Sequence, residues 1–167
     1  MDETPAIGRV SMLGLNYGAH LIIWGLRRVV TAHGPDGFLL DECHCAFSED
    51  GDEAMRALCL FLCLMGRAAR RPIQIGTPGT LAVTWDENRI LTLLAAAQKW
   101  AEDGDQARVD AHLQWLASPA QRPALAQVTL ALGQLLAAHG HFLSLPADTV
   151  CTGAAAWPPG QARRRLN

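Results

Sequence analysis

The sequence has one lysine, Lys99, and one tyrosine, Tyr17, and few β-branched aliphatic residues: 7 Val and 6 Ile beside 27 Ala and 24 Leu. That shortage, set against so many strong helix formers, argues against a β-rich fold and predicts a mainly helical chain. A lone lysine leaves Schiff-base chemistry a single candidate. Lys99 stands in a polar stretch with Gln98 and Glu102, which reads as a solvated face. Charge of one sign is also lacking. Sixteen acids against 14 bases give a net charge of −2 over 167 residues, so no global field draws the protein to nucleic acid. With 50% hydrophobic and only 18% charged residues, wholesale disorder is excluded, and the length fits one domain.

Long apolar runs and catalytic signatures are missing too. The longest wholly apolar run, Ala57–Met65, spans about 14 Å as a helix, half of the roughly 30 Å of a bilayer core. No membrane contact is expected. Met1-Asp2-Glu3 offers no basic region of the kind a secretory signal begins with, so a cytoplasmic location is expected. Five cysteines are an odd number, and a chain this long can bury a core without disulfides, so reduced thiols are expected. The chain contains no HExxH, GxSxG, GxxxxGK[ST] or GxGxxG. A DNA reader would need a basic recognition helix, but the turn Glu102-Asp103-Gly104-Asp105 is acidic and the helix after it carries Arg108 alone. No nucleic-acid partner is expected.

What is present is helical punctuation. A first helix is predicted from about Gly14 to Thr31, with Leu15, Ala19, Ile22, Leu26, Val29 and Val30 in an apolar stripe. Gly14, Gly18 and Gly25 form a second, small-residue line. Either this line admits a partner helix, or the helix starts after Gly18 and only Gly25 is interior. Asn16, His20 and Arg27 share a polar ridge. The residues from Phe38 to Phe47 read as a connection. Asp50, with Glu53 three residues on, then caps a helix that ends in Arg67, Arg70 and Arg71 before Pro72, so both ends complement the helix dipole. Because its middle is apolar on every side, this helix over Met55–Arg67 is the expected centre of the fold.

Residues 72–83 break the pattern, with Ile73-Gln74-Ile75, the turn Thr77-Pro78-Gly79-Thr80 and Leu81-Ala82-Val83. They form either a hairpin or an irregular extended loop. Thr84-Trp85-Asp86-Glu87 is a capping box. Its helix and the next, from Asp105 through Trp115, form an antiparallel pair. A last helix runs from about Pro123 to His139 and stops at Gly140. Residues 146–167, with Arg163-Arg164-Arg165, read as a flexible tail with a solvated basic end.

The fold expected is therefore all-α: one bundle of about five helices over residues 1–145, with a short extended or hairpin excursion at 72–83. The expected function is that of a non-catalytic adaptor or regulatory protein. It would act through helix-mediated contact with a protein partner or a second copy of itself, and would hold no cofactor. Tyr17, Trp24, Arg27 and Arg28 are its candidate interface, since aromatic residues and arginine dominate interface energetics. The alternative is a metal-binding or redox-responsive protein. Cys43 and Cys45 in an extended segment would point to one side, and Cys59 and Cys63 lie one helical turn apart. Together with His44 they offer zinc a thiolate set. Asp41 and Glu42 beside Cys43 argue against a reactive thiolate. His112, His139 and His141 can join a site only if the fold gathers them.

Overall fold

The helix start at Thr84 is built as its sequence predicts. In a computed structural model, which describes residues 10–144, Thr84 Oγ1 accepts from the Glu87 amide at 3.1 Å, and the Glu87 carboxylate accepts from the Thr84 amide at 2.7 Å. This reciprocal capping satisfies two of the amides that a helix N-terminus leaves open. The described residues form six α-helices and no strand: α1 (Tyr17–Ala32), α2 (Gly37–Phe47), α3 (Gly51–Ala68), α4 (Trp85–Asp103), α5 (Gln106–Leu116) and α6 (Arg122–Ala138). The chain is a single-domain helical bundle. None of its described helices is long and apolar enough to cross a membrane. The tail expected at 146–167 lies outside the described residues.

The sixth helix is α2, where the sequence suggested a connection. Asp36 caps it by accepting from the Leu39 amide at 2.9 Å, and Leu39, Cys43 and Phe47 are buried at i, i+4 and i+8, a helical period. At the start of α3, Asp50 makes no side-chain cap; its carboxylate lies 2.9 Å from His139 Nε2 instead. α1 begins at Tyr17, with Asn16 accepting from the Ala19 amide at 3.1 Å.

The excursion at 72–83 is an irregular extended segment. Its two halves do not pair with each other. The second half pairs antiparallel with the start of the described chain, through Met12 N to Leu81 O at 2.8 Å and Val83 N to Val10 O at 2.9 Å. The Thr77–Thr80 turn forms, closed by a bond from Thr80 N to Thr77 O, with Gly79 at φ +84°.

The centre of the fold is α4, a correction to the expectation for Met55–Arg67. Every α4 residue from Asp86 to Leu94 is buried, and so are Ala96, Ala97 and Gln98. α1, α5 and α6 all pack against this helix. α3 buries Leu58, Phe61 and Met65 against α1, α2 and α6, but leaves Leu60 49% exposed and Cys63 exposed. The small-residue line of α1 is used within the chain: a Cβ at Gly25 would come within 2.8 Å of Leu58 Cδ2, and one at Gly18 would meet the backbone of His141. Gly14 precedes the helix and has open space beside it, so within α1 the line leaves no room for a partner helix.

Candidate functional site

The first turn of α4 places two acids, Asp86 and Glu87, side by side in the interior. An α-helix N-terminus favours negative charge, but burying two carboxylates also requires partners. Arg27 reaches Glu87 from α1 in a bidentate pair, with Nε at 2.7 Å and Nη2 at 2.8 Å. Side-chain exposure in this pair is 3% for Arg27 and 0% for Glu87. Burial alone would raise the Glu87 carboxyl; the Arg27 guanidinium and the amides of Thr84 and Gly76 outweigh it and hold its pKa below the usual glutamate value. Arg71 pairs with Asp86 in a second bidentate fork, through its two terminal nitrogens Nη1 and Nη2.

Both pairs also hold the extended segment. Gly76 N donates to Glu87 at 2.9 Å and Gln74 N to Asp86 at 2.7 Å. Arg27 donates onward to the carbonyls of Thr80 and Ala82, and Thr84 Oγ1 donates to Gln74 O at 2.7 Å. A loop that would otherwise expose its backbone to water is fixed at both ends to α4. The indole of Trp85 continues the network: it meets Trp115 edge-to-face at 5.8 Å, and the buried Arg89 guanidinium lies against both rings, 4.5 Å and 4.9 Å from their centroids.

Fixed in this way, the segment forms one wall of a surface groove of about 570 Å³. Ile73 and Ile75 come from the segment, Leu62 and Met65 from α3, and Val30 from the end of α1. Val30 is exposed and the others, apart from Met65, are half-buried. Arg70 is exposed at the rim, and among the described residues no acidic residue lines the groove. Such a surface can take apolar side chains between its walls and a carboxylate at its edge.

The four residues expected to form an interface separate in the fold. Arg27 is the correction: it lies inside, and its neighbour Arg28 alone reaches the surface, paired with Asp36 at 2.7 Å. The Arg28 guanidinium lies over Phe38, 4.8 Å from its centroid, and 5.6 Å from that of half-buried Trp24. Phe38, 71% exposed, belongs to the same patch. The exposed Tyr17 donates to Glu42 at 2.9 Å, and partial burial with the Glu42 carboxylate pushes its pKa up to about 12. The expected ridge of Asn16, His20 and Arg27 is not one surface: Asn16 caps the helix, His20 is exposed and Arg27 is buried.

The proposed thiolate set does not converge. Because α2 is a helix, Cys43 and Cys45 point about 200° apart, so Cys43 is buried and Cys45 exposed. Burial, with Cys59 and Glu42 nearby, pushes the Cys43 thiol up to about 11, far from a thiolate at neutral pH. Cys59 is half-buried and Cys63 exposed on α3. His44 lies 3.2 Å from the Ser48 carbonyl and 3.6 Å from Asp52. Among the described residues no group of three or more His, Cys, Asp or Glu is arranged to hold a metal. His139 and His141 do come together, edge-on to Phe47, but their rings face Asp50 and the Ala46 carbonyl and fasten the end of α6 to α2 and to the turn before α3.

Sequence reasoning missed the groove and Phe38. The alternation Ile73-Gln74-Ile75 signalled a one-sided apolar strand, but nothing local showed what that side would face. Arg67, Arg70 and Arg71 read only as partners of the helix dipole. No known protein-family model matches the chain, and no curated protein or solved structure is similar to it.

Proposed function

We propose that this protein is a non-catalytic adaptor or regulatory protein whose groove between α1, α3 and the 72–76 segment receives an amphipathic helix of a partner. The observation that carries the reading is the groove's chemistry: Val30, Leu62, Ile73 and Ile75 offer apolar walls, Arg70 lies at the edge, and among the described residues no carboxylate lines it. Helix-in-groove recognition uses apolar anchors at i, i+3, i+4 and i+7, and the cationic rim selects acids flanking those anchors. The buried Arg27–Glu87 pair and the half-buried Arg71–Asp86 pair support the reading, because they hold one wall in place before a partner arrives and lower the ordering cost of binding.

A photo-crosslinking residue at Leu62 tests this, with the same residue at Leu60, exposed on another side of α3, as control. The expected product is a crosslink from position 62 into an apolar–acidic helical segment of another protein, lost with Arg70→Glu in a chain of unchanged circular dichroism. Equal products from both positions, or full yield with Arg70→Glu, would overturn it.

Self-association is the second reading, favoured by the Trp24–Arg28–Phe38 patch, whose composition is that of an interface hot spot. It predicts concentration-dependent sedimentation that Phe38→Ala abolishes. A monomer at every concentration would remove it without touching the groove.

A further inference from the structure

We infer that the outward backbone edge of the 72–76 segment pairs with an extended, acid-flanked peptide segment of a partner protein. In an extended chain the N–H and C=O of one residue point to one side and those of the next residue to the other. Gln74 and Gly76 use the side that faces α4. The Gln74 amide donates to Asp86 at 2.7 Å and the Gly76 amide to Glu87 at 2.9 Å, while the Gln74 carbonyl accepts from Thr84 Oγ1 at 2.7 Å. Ile73 and Ile75 therefore direct their amides and carbonyls away from α4. None of these four groups has a partner among the described residues.

The backbone sets the form of the partner. Ile73 and Ile75 are half-buried, and two residues of a facing strand would complete all four hydrogen bonds, the mode by which peptides add to a free strand edge. Pro72 has no amide to donate and the Thr77–Thr80 turn ends the run, so the edge admits about three residues, a short segment and not a sheet. Because α4 already holds the alternate residues, this edge is in place before a partner arrives.

Charge selects the sequence. Arg70 stands exposed just ahead of the edge and forms no ion pair or hydrogen bond among the described residues, so an acid flanking the added strand is favoured there. The chain's own residues 145–167 carry Asp148 as their one acidic side chain beside Arg163-Arg164-Arg165, which is the wrong charge for that place. Side chains leave a strand at right angles to its hydrogen bonds. A strand added here extends the isoleucine wall and leaves the groove open, so the inference goes beyond the helix reading and does not depend on it.

Amide exchange of the full chain, followed by NMR, tests the inference. In the free protein Gln74 and Gly76 are expected to exchange slowly and Ile73 and Ile75 fast. The probe is a capped pentapeptide with glutamate at each end and valine, threonine, valine between. One control has its two adjacent central amides N-methylated, which blocks both of its edges, and a second has glutamine for both glutamates. The probe is expected to slow Ile73 and Ile75 saturably, the N-methylated control to leave both fast, and the glutamine control to bind several-fold more weakly. Ile75→Pro removes one donor after a residue that is already extended and is expected to weaken binding about tenfold, whereas Ile75→Val keeps the backbone and full affinity. Unsaturable binding would overturn the inference, as would equal binding of either control or equal loss in Ile75→Val. Slow exchange at Ile73 and Ile75 in the free chain would also overturn it: independent of concentration, it makes this chain the occupant, and rising with concentration, a second copy. The crosslink from position 62 is read separately, so either reading can fail alone.

Discussion

α3 and α4 are the two longest helices, 18 and 19 residues, and burial divides them in the reverse of what their side chains suggest. α3 contains nine consecutive apolar residues but turns Leu60 and Cys63 to solvent. α4 contains Asp86, Glu87, Asn88, Arg89, Thr92 and Gln98, all of them buried. Burial follows the supply of partners around a helix. α1, α5, α6 and the extended segment pack around α4, and Arg27, Arg71 and backbone amides meet its acids, whereas α3 leaves the side with Leu60 and Cys63 exposed. Polar residues can therefore occupy the centre of this bundle while a leucine occupies its surface.

The largest expected effect falls on the ion pair at the head of α4. Removing one member of a buried pair strands the other charge, so Arg27→Met is expected to lower the unfolding free energy by about 3–5 kcal/mol in urea denaturation. A loss below about 1 kcal/mol would place the pair in solvated surroundings and erase the contrast with α3. Truncation sharpens the same contrast: Leu93→Ala in α4 is expected to cost about 2–5 kcal/mol, and Leu60→Ala in α3 no more than roughly 0.5 kcal/mol. Equal costs would refute the assignment of α4 as the centre.

A smaller effect is expected where α4 crosses α6. A Cβ at Gly133 would come within 2.8 Å of the Ala97 Cβ, so Gly133→Ala must part the helices, at about 1–3 kcal/mol. An unchanged thermal midpoint would show that the crossing is loose.

The pH dependence follows from two depressed pKa values. His112 is held neutral in the fold, so its contribution is complete above the unfolded histidine pKa of about 6.5 and is lost as pH falls through its lower folded value. Glu87 acts in the same direction at more acid pH: its contribution is present above the unfolded glutamate pKa and lost as pH falls through the lowered folded one. Replacing His112 with Gln is expected to flatten the fall in stability just below pH 6.5, read from urea midpoints across pH. An unaltered slope would assign that fall to other groups. The smallest effect belongs to the neighbour of Arg27. Arg28→Ala breaks a half-buried pair with Asp36 and is expected to lower stability by no more than about 1 kcal/mol, read from the urea midpoint.

Much of the punctuation was legible because capping is local chemistry. Thr84 and Glu87 are three residues apart and need only each other, Gly104 and Gly140 take positive φ where helices end, and Pro72 follows α3. α2 had its signal too, an Asp36 cap with Leu39, Cys43 and Phe47 in helical register, but the density of acids, thiols and histidine over 41–45 suggested ligands and an extended chain. Of the site, the apolar pair Ile73 and Ile75 was visible; its opposing wall on α1 and α3 was not, since no local pattern records which helix crosses which.

The amino-acid order by itself determined an all-helical bundle, most helix ends and the turn at Thr77–Thr80, because each depends on side chains and amides within about four residues of one another. Only the tertiary structure decided which of Arg27 and Arg28 is buried, that α4 rather than α3 is enclosed, and that the thiols stay apart. Two adjacent arginines have the same chemistry, but they point about 100° apart around the helix, and the position of Glu87, sixty residues further along the chain, gives one of them an interior partner and leaves the other in water.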